Sequence, residues 1–497
     1  MAFQRPGVYV QEVLNPIAST VGPNSDSVGA FVGANDRGPT VPTLVTSWSQ
    51  YTTLFGTWNT NASNDLPLGV YMFFANGGSR AYVQRVVGAG AASAVRTFND
   101  RAATPLATLR LTAVNEGAWG NSLNATISNS LTTGKFDLTI YYGGTTDAEI
   151  VEKFTDLSMT STDSRYAISV INGASVYVIA TDLGSATTGS NKNPSVVTNQ
   201  TLTTGANGSA VSEIDDYTGF DVINQSLILN VAGFTDNTTI NAAISYAESR
   251  DDVFVVIDSL ESSAEDALDI AAQYTPSSYA AVYYPALVIK DPTVGVGGSS
   301  ASVKTVGAGS ALVGIYSSTD ASRGVFKAPA GLQTRVAGAV SVAALTNAEL
   351  DLMNAASAPV NAIKYVPGSG IVVMGSRTLK VGYVDKYIPV RRTLIYLRKA
   401  LIDLTQFAIF EPNDETLWRR IDATVSGFLT GFWSQGGLRG ATPQQAFFVK
   451  VDSTNNPQQS IDNGEVHIEV GVALQRPAEF VVIKIGQFDG GTTVTVA

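Results

Sequence analysis

The sequence predicts an α/β chain of several domains, on three observations. Short apolar segments alternate with helical patterns over 28–88 and again over 240–289; a polar, turn-rich stretch from about 89 to 204 interrupts that alternation; and two long amphipathic helices occupy the last third. At 497 residues the chain exceeds one ordinary domain, and two to four are expected.

Residues 1–24 carry Pro6, Pro16 and Pro23, which keep the segment out of helix, so it reads as an extended arm. At roughly 3.3 Å per residue, an arm of about 22 residues reaches about 70 Å. Residues 28–33, Val-Gly-Ala-Phe-Val-Gly, read as a buried strand. Val70–Phe74 reads as a helix stopped by Asn76-Gly77-Gly78, and 81–87 as a second strand. Between 89 and 204, Ser, Thr, Asn and Gly dominate, with short alternating strands at Leu109–Ala113, Phe136–Tyr142 and Ser175–Ile179. Such polar β structure can leave one face to solvent, so an inserted peripheral β-rich domain is expected.

The α/β pattern then resumes, with a helix at Ile240–Ser249, a buried strand at Asp252–Asp258, a helix at Ala264–Tyr274 and a strand at Tyr279–Ile289. Two strands flanking a helix at this spacing predict a parallel crossover unit. Near the C-terminus, Leu394, Leu397, Leu401 and Leu404 share one face of a helix from about Arg391 to Phe407, while Arg391, Arg392, Arg398 and Lys399 share another. A second helix begins at Asn413-Asp414-Glu415, turns Leu417, Ile421, Val425, Phe428 and Phe432 inward, and ends before Gly436-Gly437. Val466–Val470 alternates as a strand.

These elements predict an arm at 1–24, a discontinuous central α/β domain at 25–88 plus 205–360, the insert at 89–204, a C-terminal α+β domain at 361–479 and a terminal strand at 480–497. Both ends are too apolar for frayed termini. Val8, Tyr9 and Val10 follow Pro6-Gly7, and Phe480, Val481, Val482, Ile483 and Ile485 follow Pro477. A terminal strand without a hairpin companion must pair with a distant strand of its own chain or join a neighbour's sheet, and the second choice makes polymers.

Composition removes several function classes. No apolar run approaches the roughly 18–20 residues of a membrane span, nothing resembles a signal stretch, and a soluble chain without membrane insertion is expected. The absence of cysteine excludes disulfides and thiol catalysis, and one histidine excludes a multi-histidine metal cage. The 31 basic and 42 acidic residues give a net charge of −11; residues 361–497 carry +2, leaving −13 for the rest. No concentrated Lys/Arg surface suggests nucleic-acid binding; a protein partner with an acidic face suits the mildly basic C-terminal part better.

Catalytic candidates fail on chemistry. Gly134-Lys135 is followed by Phe136 and makes no phosphate loop. The glycine clusters at 88–90, 294–298 and 368–370 read as turns. His467, between Glu465 and Glu469, reads as a solvated or interfacial residue, and a serine nucleophile has no other imidazole as base. Asp215-Asp216 and Asp251-Asp252 read as loop charges rather than acid/base pairs or cation ligands. No catalytic, metal or cofactor site is expected.

Several motifs, taken in order, resemble those of contractile tail sheath proteins, found in contractile-tailed phages and contractile injection particles. They include Pro6-Gly7-Val8-Tyr9-Val10-Gln11-Glu12, Asn115-Glu116-Gly117-Ala118-Trp119-Gly120-Asn121, Tyr283-Tyr284-Pro285 and Arg323-Gly324-Val325-Phe326-Lys327-Ala328-Pro329-Ala330. Further on come Gly375-Ser376-Arg377-Thr378-Leu379, Tyr387-Ile388-Pro389-Val390-Arg391-Arg392, Phe410-Glu411-Pro412-Asn413-Asp414 and Pro477-Ala478-Glu479-Phe480. Lys364 stands where the resemblance would place an arginine, which weakens any fork-shaped contact there.

The resemblance implies a subtilisin-like α/β central domain without its chemistry, an outward insert and an inward C-terminal domain. It also implies six-subunit rings stacked around an inner tail tube, with terminal arms exchanging strands between subunits. Contraction then drives the tube through a target envelope. The implied partners are other copies of the chain, the tube protein, and baseplate and tail terminator proteins. The implied location is a virion tail or injection particle assembled in host cytoplasm. Arg391, Arg392, Arg398 and Lys399 become candidates for the tube-facing surface, and Gly22 and Pro23 for an arm hinge. The alternatives are another β-rich shell or surface-array component, or an inactive hydrolase relative.

Overall fold

Six parallel strands form the middle of an eight-stranded sheet in the computed structural model, which describes residues 28–59, 63–293, 302–380, 382 and 386–479. These residues fall into two compact units, 28–322 with 329–380 and 323–328 with 382 and 386–479.

In the first unit, β1 (Val28–Ala34) is buried along almost its whole length, as a strand covered on both faces must be. β2 (Thr43–Val45) precedes α1 (Trp48–Phe55), which Ser47 caps by accepting from the Gln50 N–H. α2 (Asp65–Ala75) runs longer than its apolar core suggested and buries Leu66, Leu68, Val70, Met72 and Phe73; the Phe73 ring meets Phe31 edge-on at 5.2 Å. β3 (Ala81–Val86) then pairs parallel with β1.

The chain leaves the sheet through a two-stranded neck. Ala92 and Ala206 exchange backbone hydrogen bonds at 2.9 Å each, as do Val95 and Thr203 at 2.8 and 3.0 Å. Beyond it lie β4 (Val95–Asn99), β5 (Ala107–Ala113), β6 (Leu123–Asn129), β7 (Phe136–Tyr142), β8 (Ile150–Leu157), α3 (Ala167–Ala174), β9 (Val178–Asp182) and β10 (Val197–Thr201). They form two antiparallel sheets, β10-β6-β7-β8 and β4-β5-β9, around a core of their own that includes Leu109, Leu111, Ile127, Phe136, Leu138 and Ile140. The strand expected from Ser175 begins at Val178. Ser175 ends α3 instead, and its hydroxyl accepts from the Tyr177 and Val178 N–H groups, turning the chain.

On return come β11 (Leu227–Val231), α4 (Asn237–Arg250), β12 (Val253–Asp258), α5 (Ala264–Ala271) and β13 (Ala280–Tyr284). They are followed by β14 (Leu287–Lys290), β15 (Val303–Val306), α6 (Gly309–Arg323), β16 (Ala339–Val342), α7 (Asn347–Ala355), β17 (Val360–Val366) and β18 (Gly370–Val373). The sheet order is β18-β17-β13-β12-β11-β1-β3-β2, antiparallel only at its two ends. The chain builds outward from β1 to β3 and then from β1's other side through β11, so the strand order reverses between β1 and β11.

Two expectations require correction. Tyr279–Ile289 is not one strand: Pro285 has no N–H to continue the ladder, and β14 joins a separate sheet with β15 and β16. The boundary expected at 360/361 cuts β17, whose Val360, Asn361 and Ala362 pair with β13; the first unit continues to 380.

The second unit holds α8 (Ile388–Thr405), α9 (Glu415–Ser434), β19 (Phe447–Lys450) and β20 (Glu469–Val472). Asp414 caps α9 by accepting from Thr416 and Leu417 N–H at 2.9 Å each. Leu417, Ile421, Val425, Leu429 and Phe432 form its buried stripe, with Phe428 only half-buried at its side. Each fully buried apolar side chain of this kind contributes roughly 1.5–3 kcal/mol. Leu397 joins them from α8, and Val325 and Phe326 join from the short excursion at 323–328; the Phe326 ring meets Phe432 at 5.3 Å.

Candidate assembly surface

Ligand sites in doubly wound sheets lie at the carboxyl ends of strands near the reversal of strand order. Here that place holds Asn230 on β11, Asp258 at the end of β12, and Gly309 and Ser310 at the start of α6. Ser310 Oγ donates to Asn230 Oδ1 at 2.6 Å; Asn230 Nδ2 donates to Val256 O at 2.9 Å and to Asp258 Oδ2 at 3.2 Å; the Gly309 N–H donates to Asp258 Oδ1. A Cβ on Gly309 would stand 2.5 Å from Asn230 Nδ2, so glycine is what lets the helix start come this close. Burial pushes the Asp258 carboxyl up to about 6, against the Gly309 and Asn230 hydrogen bonds. Ser310 thus meets an amide rather than a base, and the network ties α6 to β11 and β12.

Three of the four residues in the acidic pairs have local partners. Asp216 accepts from the hydroxyl and N–H of Thr218, which hold its carboxyl below the usual range. Asp251 ends α4 in the left-handed region and accepts from Tyr279 Oη at 2.9 Å, while Asp252 pairs with Arg250 at 2.6 Å. Among the described residues no three His, Asp or Glu side chains converge on a metal-sized space, and no helix is long and apolar enough to cross a membrane. His467, half-exposed, places Nε2 3.1 Å from Glu465 Oε2, and its backbone is bonded to Asn455 and Asn456.

The β19–β20 pair offers a different chemistry. Phe447 lies opposite Val472 and Val449 opposite Val470, and all four pack against the core of the second unit. Lys450 lies opposite Glu469, a favourable cross-strand charge pair. Among the described residues no further strand flanks either edge, and a two-stranded sheet alone is marginal in water. It can accept main-chain hydrogen bonds from added strands. Val8, Tyr9, Val10, Gly22, Pro23, Phe480, Val481, Val482, Ile483 and Ile485, the expected arm and hinge residues, lie outside the described residues.

The basic face expected on α8 is corrected for two of its four members. Arg391 and Arg392 are buried, 4% and 3% exposed, because the whole first turn of α8 is buried with Ile388, Pro389, Val390 and Thr393. Neither can present its guanidinium as a surface patch. Arg398 and Lys399 are half-buried, and Lys399 stands 3.8 Å from Asp403 one turn on.

Two residues the sequence reading passed over join the insert to the sheet. Arg85 Nε donates to Asn35 O at 2.7 Å and its Nη1 to Glu116 O at 2.8 Å, while burial lowers its guanidinium to about 10 against the charges of Glu116 and Asp36. Arg37 lies between the rings of Tyr177, at 4.1 Å, and Trp119, at 4.8 Å, and donates to Thr53 O at 2.9 Å. A signal was present for Arg85: it shares the strand face of the buried Ala81 and Val83.

Residues 386–487 match the phage tail sheath C-terminal domain. The chain is similar to the tail sheath protein of Vibrio phage KVP40, 28% identical over 127 residues, which are 25% of this chain and 18% of that protein. Among solved structures it is similar to the sheath of an extracellular contractile injection system in the contracted state, 22% identical with a TM-score of 0.58 and 98% of each chain covered. The contracted helical sheath of the anti-feeding prophage gives 21% identity and a TM-score of 0.58, covering 98% of this chain and all of the other. A sheath tail protein of Listeria innocua gives 14% and 0.60, covering 91% and 96%. These likenesses show a shared fold.

Proposed function

We propose, from the match of residues 386–487 to the phage tail sheath C-terminal domain, that this chain is a structural protein, not an enzyme, and polymerises as a contractile sheath. Six-subunit rings stack around an inner tube, and contraction drives that tube through a target envelope. The central α/β domain is a subtilisin-like scaffold turned to packing, and the insert faces outward. The polymer meets the tube, baseplate and tail terminator proteins, in a virion tail or an injection particle assembled in host cytoplasm.

The observation that carries this reading is the β19–β20 sheet, with no third strand at either edge among the described residues, in a chain whose segments 8–10 and 480–485 are apolar and strand-prone. Val8–Val10 of one copy and Phe480–Ile485 of another are the strands that would complete it, making a mesh whose main-chain bonds survive sliding of the subunits. Gly22-Pro23 is the hinge at the root of the first arm. Arg398 and Lys399 stay as tube-facing candidates, since polar, screened contacts worth roughly 0–1 kcal/mol each can break during contraction.

Negative-stain microscopy of the purified full-length chain tests this. Tubular polymers are expected, and deletion of residues 1–20 or 480–497 is expected to leave folded monomers. Flat lattices would favour a surface array, and monomers from all three proteins would end the proposal.

A further inference from the structure

Five non-glycine residues among those described have positive φ: Asp156, Asn199, Thr204, Asp251 and Phe410. Four are small and polar, and Asx residues in particular tolerate this region. Phe410, at φ 65°, is a bulky aromatic for which the conformation is unfavourable, and the residue is 89% exposed. Strain and solvent exposure at one aromatic residue gain nothing within the chain.

The loop is nonetheless held in place from both sides. The Ile409 N–H donates to Gln406 O at 3.2 Å and the Glu411 N–H to Ala408 O at 3.3 Å. Asn413 Nδ2 donates to Glu465 O at 2.9 Å while its Oδ1 accepts from the buried Trp418 indole at 2.8 Å, and Asp414 caps α9. The loop between α8 and α9 is thereby tied to the segment that leads into β20. A ring presented on a backbone already fixed has the form of a preorganised interface anchor.

We propose that Phe410 is a self-association anchor, seated in the assembled polymer against exposed apolar side chains of a second copy of this chain. This rests on the polymerising reading and adds a partner for one of its surfaces. The charges around the loop favour a copy of the chain over a partner of single sign. Arg419 and Glu415, 77% and 78% exposed, form a pair 3.3 Å apart, with Glu411 and Arg420 close by in sequence. The first unit also carries apolar side chains suited to receive a ring: Leu332, Val340, Leu352 and Tyr365 are each more than half exposed.

The test compares the full-length chain with Phe410→Gly and Phe410→Asn, both of which remove the ring and tolerate positive φ. Melting temperatures of the unassembled variants are expected to equal or exceed that of the parent, and the critical concentration for polymerisation to rise at least tenfold. An unchanged critical concentration overturns the anchor. So does normal self-polymerisation with assembly lost only on a separately supplied tube, which would reassign the ring to the tube. Should the parent form no polymer, the sheath reading fails first, and sedimentation equilibrium judges the anchor: self-association at least tenfold weaker in both variants is expected, and equal or absent association overturns it.

Discussion

Asp258 shows how a single buried group carries both architecture and a pH response. Its folded pKa of about 6 lies above the ordinary 3.8, so the native state holds this proton over a range where the unfolded chain has released it. The favourable contribution is complete below about pH 4 and is lost as pH rises through 6, a change of about 3 kcal/mol. Asp258→Asn should remove that slope. Denaturant titrations of both proteins at pH 4, 5, 6 and 7 should give a difference in stability that shifts in the variant's favour by this amount, and a constant difference would mean that the carboxyl is already ionised at pH 4. Arg37 is a second case. Lysine at this position keeps the charge but loses the planar stacking between Trp119 and Tyr177, so Arg37→Lys should cost the first unit about 2 kcal/mol in urea unfolding followed by tryptophan fluorescence.

Local patterns at the scale of helices and strands were readable wherever one period dominated. The spacing of Leu417, Ile421, Val425 and Phe432 set the buried stripe of α9, and Asp414 marked its start. Asp414→Ala should cost about 1 kcal/mol, measurable as a lower thermal midpoint of the second unit. The first turn of α8 defeated the same logic, because it is buried all round and Arg391 and Arg392 are enclosed with it. Charge placed on a helical wheel cannot reveal a burial imposed by other parts of the chain. The strand read through Pro285 failed because both sides of it are rich in apolar residues, and backbone hydrogen bonding separates β13 from β14. The candidate surface was half legible: the apolar ends were visible in sequence, whereas β19–β20 depends on a pairing across 18 intervening residues, and the left-handed turn at Phe410 has no composition signal.

The second unit is not a simple C-terminal module of the molecule. Its core includes Val325 and Phe326, which arrive from a segment with chain of the first unit on either side. Phe326→Ala should therefore lower the stability of the second unit by about 3 kcal/mol, although the substitution lies more than fifty residues upstream of its main body. A fragment made of residues 382–497 should show loosened tertiary packing by near-ultraviolet circular dichroism, and recover it when 323–328 is supplied as a peptide. A fragment as tightly packed as the intact protein would mean that the excursion is dispensable.

That excursion also has a mechanical meaning. Among the described residues the backbone passes between the two units at 322/323, at 328/329 and near 381, so they are joined by three covalent tethers rather than one. Each crossing is covalent, so no single cut in the backbone frees the whole of the second unit from the first. A protease site engineered between Lys380 and Lys386 would sever one tether, yet the released piece would stay bound through the side chains of Val325 and Phe326 gripped in its core. The nicked protein should run as one species on gel filtration and as two bands only after denaturation.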